Sequence, residues 1–85
     1  MKFNFICTCE ACPEQYDVYM NDEQVAYVRL RYGILSVDYL YCGEETIYYK
    51  DFNDNYKGVF DNDEERQFYF QEIKKAIMRK MLGGG

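Results

Sequence analysis

The sequence has no histidine, a single proline and, apart from tyrosine, only three side-chain hydroxyls, Ser36, Thr8 and Thr46. Without histidine, a serine or cysteine lacks the base that most often activates it, and near the cysteines only Lys2 offers a cation to lower a thiol pKa. There is no glycine-rich loop to cradle phosphate and no motif that sets carboxylates at a fixed catalytic spacing. The expectation is a protein that is not an enzyme and has no catalytic residues. Apolar runs long enough to span a bilayer are missing too, and residues 1–12 lack the apolar centre and small-residue cleavage site of a signal peptide. This predicts a cytoplasmic protein with no membrane partner. Cations are scarce, with 10 Lys and Arg against 15 Asp and Glu, for a net charge of −5. A chain that binds nucleic acid directly draws its affinity from cations meeting phosphates, so direct nucleic-acid binding is not expected.

What is abundant is aromatic surface, ten Tyr and six Phe in 85 residues. Each aromatic side chain buries on the order of 150 to 250 Å², enough for a compact single core in so short a chain. The stretch 25–41 organises it. Two runs rich in Val, Leu, Ile and Tyr flank Tyr32-Gly33, the signature of a β-hairpin with a two-residue turn. Folding there sets Leu30 opposite Leu35, Val28 opposite Val37 and Ala26 opposite Tyr39 on an apolar face. Arg31 with Ile34, Arg29 with Ser36 and Tyr27 with Asp38 make the other, mostly polar face, the pattern of an antiparallel sheet covered on one side.

Residues 2–7 alternate with Phe3, Phe5 and Cys7 on one side, predicting a first strand, and 16–20 predict a second with Tyr16, Val18 and Met20 inward. Residues 8–15, with Pro13, read as a loop. Parity requires a three- or five-residue loop before the hairpin, and the five-residue version pairs Asp17 with Arg29. Residues 46–50 continue the meander, 51–58 form a polar loop, and Val59-Phe60 add a short strand or plug the core. From Asp61 or Asn62 the period becomes helical, with a capping box from Asp61 and Glu64 or from Asn62 and Glu65. Tyr69, Phe70, Ile73, Ala76, Ile77 and Met81 form the stripe that covers the sheet. The predicted fold is α+β: a meandering antiparallel sheet of four to five strands with one C-terminal helix packed on one face. Residues 1–82 form one domain and 83–85 a flexible glycine tail.

Three groups of residues are candidate contacts. Asp51, Asp54, Asp61, Asp63, Glu64 and Glu65 lie in a segment whose one cation is Lys57. Such an acidic patch either is a solvated loop and helix cap or imitates nucleic-acid phosphates toward a basic groove on another protein. On the uncovered sheet face, Tyr19, Tyr27, Arg29 and Arg31, beside Asp17 and Asp38, are residue types enriched in binding hot spots and equally able to serve as cross-strand pairs. Phe68, Met78 and Leu82 fall opposite the helix stripe, either as scattered surface hydrophobes or as a self-contact between two copies.

The four cysteines raise a metal question. Cys7, Cys9 and Cys12 have knuckle-like spacing and Cys42-Gly43 offers a fourth thiolate for zinc. The hairpin register opposes the four-thiolate site: at about 3.4 Å per residue, Cys42 falls roughly 20 Å from the other three. Zinc held by Cys7, Cys9 and Cys12 with an outside ligand, or reduced, partly buried thiols, are the alternatives. A calcium loop from Asn53 to Glu64 has the required glycine at Gly58 and the closing Glu64, but Lys57 occupies a ligand position, so it is set aside.

Cys7-x-Cys9-x-x-Cys12-Pro13-Glu14-Gln15-Tyr16-Asp17-Val18, followed by Val25-x-Tyr27-x-Arg29-Leu30-Arg31-x-Gly33, resembles a group of small proteins encoded by phages and prophages. The likeness covers about the first half of the chain. It implies a mobile-element accessory protein, among which inhibitors of host defence systems such as CRISPR nucleases are a common role. Together these readings predict a small acidic protein-binding module that inhibits a host nucleic-acid-handling complex, its partner being a host protein. The alternative is a cysteine-based zinc module with a structural or redox role.

Overall fold

The computed structural model of the chain describes residues 2–9, 14–41 and 44–83. Five strands, β1 (Phe3–Cys9), β2 (Glu14–Met20), β3 (Glu23–Arg31), β4 (Ile34–Tyr39) and β5 (Glu45–Asp51), precede one helix, α1 (Asp63–Gly83). The strands form one antiparallel sheet in chain order. The β3–β4 ladder has the register that the alternation predicts, from Ala26 opposite Tyr39 to Arg31 opposite Ile34. Tyr32 and Gly33 take φ of 54° and 76°, the two positive angles of a type I′ turn, whose twist suits the strands it joins.

The turn between β2 and β3 corrects the predicted register. Asn21, with φ of 60°, and Asp22 make a two-residue turn, which alone would put Val18 out of phase. A bulge restores it: Tyr19 faces Gln24 but Val18 faces Ala26, leaving Val25 as an extra residue. Both Val25 and Ala26 are buried, so the bulge adds a core side chain while keeping the faces aligned. In consequence Asp17 faces Tyr27, and Arg29 faces Gln15; the Asp17–Arg29 pair does not form. A second bulge, at Ile47, shifts β4 against β5.

The helix starts where an acidic cap allows it. Asn62 Oδ1 accepts from the Glu65 amide at 2.8 Å, and Glu65 Oε1 accepts from the Asp61 amide at 2.8 Å. This is a capping box stretched by one residue, satisfying amides that the first turn leaves open. Phe70, Ile73, Ala76 and Ile77 are buried against the sheet beneath Val18, Val28, Leu30, Leu35 and Val37. Full burial of each such aliphatic side chain is worth about 1.5 to 3 kcal/mol. Aromatic rings close the ends of this layer, with Phe5 stacked on Phe70 at 4.2 Å and Tyr16 edge-on to Phe70 at 5.0 Å. Phe60 is buried as a plug rather than a strand residue. Met78 departs from its predicted place: it packs, partly buried, on the core, because a long flexible side chain at the stripe's margin can fold back over it. Phe68 and Leu82 are exposed, 58 % and 73 %.

Candidate protein-binding surface

Because successive strand residues point to opposite faces, burying Val28, Leu30, Leu35 and Val37 under α1 forces Tyr27, Arg29, Ser36 and Asp38 to the other side. Among the described residues no helix covers that side. Tyr27 donates from its hydroxyl to Gln15 Oε1 at 2.8 Å, and the Arg29 guanidinium lies 5.4 Å from the centre of the Tyr27 ring. Arg31 stands in the same relation to Tyr32 at 5.4 Å. Thr46 donates to Asp38 Oδ1 at 2.7 Å. These pairs pre-order the side chains, so a partner meets a surface that has already lost part of its rotamer freedom.

Between these pairs runs an open groove of about 370 Å³ lined by Arg29, Arg31, Ile34, Ser36, Asp38, Thr46 and Tyr49. Arg29 Nε is buried in its wall and has no hydrogen-bond partner among the described residues. Of the predicted sheet-face residues, Arg29 and Arg31 line the groove, Tyr27 braces it through Arg29, and Tyr19 lies apart, in a recess with Asn4, Ile6, Asn21 and Asp22. Tyr49 was not foreseen as part of this surface. The strand-by-strand alternation of Tyr48 and Tyr49 holds the signal, but the bulge at Ile47 hides which of the two faces inward.

The acidic residues prove to be largely engaged with their own chain. Asp51 Oδ1 accepts from the Asn53 amide and Asp54 Oδ1 from the Tyr56 amide, closing side-chain turns in the loop. Lys57, its side chain only 8 % exposed, pairs with Asp61 at 2.8 Å and Glu65 at 3.0 Å and lies 5.0 Å from the centre of the Phe52 ring. Burial pulls the Lys57 pKa down, but the hydrogen bonds to Asp61 and Glu65 outweigh it and the net shift is upward. Asp63 pairs with Arg66, and Glu64 is exposed in the first helical turn. The patch therefore carries less free negative charge than the six carboxylates suggest, although Asp61 and Asp63 still show most of their surface to water.

One polar site was missed in the sequence. Glu14, 3 % exposed, opens β2. Its Oε2 accepts from Arg66 Nε at 3.0 Å and from the Tyr16 hydroxyl at 2.9 Å, and its Oε1 accepts from Arg66 Nη2 at 3.2 Å. The forked guanidinium matches both carboxylate oxygens, which is how a buried charge is tolerated. Burial, and then the hydrogen bond to Glu14, push the Tyr16 phenol far above its ordinary value. The Glu14 carboxylate likewise raises the Arg66 pKa. With both oxygens engaged, Glu14 is placed to fasten helix to sheet. Cys7 shares a cavity of about 300 Å³ with this cluster.

Cys7 is exposed and Cys9 half-buried on β1; Cys12 and Cys42 lie outside the described residues, as do Gly84 and Gly85 of the predicted tail. Among the described residues no three acidic or cysteine side chains gather as a metal site would require. Among the described residues no helix is long and apolar enough to cross a membrane. No family model, curated protein or solved structure matches the chain.

Proposed function

We propose that this chain is a protein-binding module that docks through its uncovered sheet face, and that its partner is a host nucleic-acid-handling defence complex, which it inhibits. The observation that carries the docking reading is the groove between β3, β4 and β5, lined by Arg29, Arg31 and Tyr49. Arginine and tyrosine at a braced, partly desolvated groove are the usual anchors of protein interfaces. The inhibitory role rests on the likeness of the Cys7 to Gly33 pattern to phage and prophage proteins. The exposed edges of Asp61, Asp63 and Glu64 supply a second contact that competes with phosphates for a basic surface.

The test is capture of the partner from host cells, followed by a nucleic-acid binding or cleavage assay on the captured complex with added protein. Replacing Tyr27 and Arg29 together by alanine is expected to weaken capture at least about tenfold, the loss of roughly 1.4 kcal/mol. Equal capture by that variant removes the sheet face from the interface. Reversing Asp61, Asp63 and Glu64 to lysine with no change in competition against nucleic acid removes the acidic contact. A captured complex that handles nucleic acid just as well in the presence of the protein removes the inhibitory role.

A further inference from the structure

The groove on the uncovered face owes its shape to the sizes of the side chains that cross it. Arg29 faces Ser36, and Ser36 faces Tyr49. The smallest of the three stands in the centre, so the face dips along β4 between a wall on β3 and a wall on β5. Two strand spacings set those walls about 9.5 Å apart. A helix with its side chains is about 10 to 12 Å across and does not enter, whereas an extended chain does. From Ile34 to Asp38 the trough is roughly 13 Å long, the length of four or five extended residues. Its charges follow a fixed order. Arg31 pairs across the strands with Ile34, Arg29 with Ser36, and Tyr27 with Asp38, so two cations and then a carboxylate succeed one another at two-residue steps. Among the described residues none of Arg29, Arg31 and Asp38 forms an ion pair, unlike Lys57, Arg66, Lys75 and Lys80. Asp38 accepts from the uncharged Thr46 hydroxyl. Asp51, beside Ile34 in the register, is exposed and accepts from the Asn53 amide.

Resting on the docking reading above, we propose that the trough takes an extended segment of the partner protein with the pattern acid-x-acid-x-base. Alternate side chains of an extended segment repeat at about 6.6 Å, as do Arg31 and Arg29 on β3. Two carboxylates at that spacing therefore meet the two guanidiniums, and a lysine or arginine two residues further on meets Asp38. Each guanidinium offers a carboxylate two parallel N–H donors. The rings of Tyr27 and Tyr32, each 5.4 Å from its arginine, hold the forks in place. A nucleic-acid strand has the wrong pattern for this trough, because its phosphates repeat along the whole length and run onto Asp38. Charge of both signs in register also selects among partners, since a segment with the order changed sets like charges against each other.

The test is a titration of the full chain, followed by its amide NMR shifts at low salt, with the peptide acetyl-Glu-Ser-Glu-Ser-Lys-amide. Shifts are expected at Arg29, Arg31, Ser36, Asp38 and Tyr49. The control acetyl-Glu-Ser-Lys-Ser-Glu-amide has the same composition but the wrong order in either direction, and should bind at least about tenfold more weakly. Arg31→Glu, at an exposed position, should weaken the first peptide by a similar factor and bind acetyl-Lys-Ser-Glu-Ser-Lys-amide better than the unaltered protein does. No shift in the trough up to about 5 mM peptide overturns the proposal. So does equal binding of the control, or tighter binding of an eight-nucleotide thymidine strand, which would make the trough a phosphate site. If the peptide fails while the Tyr27 and Arg29 double variant still loses the host complex, this ligand is wrong and the docking reading stands. If the peptide binds as expected while that variant keeps the host complex, the docking reading falls and the trough remains a site for this class of segment.

Discussion

On β3, Val28 and Leu30 are each 1 % exposed, while the alternate residues Tyr27 and Arg29 are only half-buried. The strand is the same; the two faces are held by different forces. The helix-covered face is a packed layer whose energy comes from apolar area removed from water. The uncovered face is a set of pairwise contacts, each worth about 0.2 to 1 kcal/mol. Stability is therefore concentrated on one side, and the other side is free to change its side chains without losing the fold.

The sharpest way to break that asymmetry is Leu30→Ala, expected to cost about 2 to 5 kcal/mol because the site is enclosed by sheet and helix and collapses little. Urea unfolding gives the number. Next comes Glu14→Ala, which removes the buried partner of Arg66 and leaves it only the exposed Asp63; since Arg66 is 26 % exposed, Asp63 and water take up part of the penalty and the loss should be at most about 3 kcal/mol, the lower end for a broken buried pair. Gly33→Ala follows. It forces a side chain at φ of 76° and drives Cβ to within 1.9 Å of the Asp54 carbonyl oxygen, so a loss of at least about 1 to 3 kcal/mol is expected even after the loop yields. Smallest is Tyr27→Ala on the uncovered face, expected to change stability by no more than about 1 kcal/mol while weakening partner capture. A large stability loss from Tyr27→Ala would mean the two faces are not separable.

The Glu14 cluster also gives a pH dependence. The Tyr16 phenol has a higher pKa folded than unfolded, so its contribution is fully present below the unfolded value near 10 and is lost as pH rises through the folded one. Tyr41, pushed up to about 12 chiefly by its hydrogen bond to Glu23, acts in the same direction. Melting temperature should fall on the alkaline side above about pH 10, and Tyr16→Phe should flatten that fall.

The hairpin was legible because two independent signals agree, a turn pair that tolerates positive φ and strict alternation on both sides. The bulge at Val25 was not, since Val25-Ala26 looks like any apolar pair and parity arithmetic assumes one residue opposite one. Glu14 stands beside Pro13 in a segment of loop composition, and its partner Arg66 lies 52 residues away, so nothing local marks it as buried. Arg29 and Arg31 were found by face, but the groove between them needed β5 and Tyr49 in place. The acidic cluster was visible as composition, whereas its pairing with Lys57 and Arg66 is a tertiary fact.

The consecutive order of the strands has a kinetic consequence. Every strand pairs with its neighbour in the chain, so each step of sheet formation closes only a short loop and loses little chain entropy. Such a ribbon can zip from the Tyr32-Gly33 turn outward, while the Glu14–Arg66 clasp, a tie across 52 residues, waits for the helix to dock. The sheet should be the folding nucleus and the clasp the last lock, making Arg66 a residue whose replacement hastens unfolding and leaves the folding rate nearly unchanged.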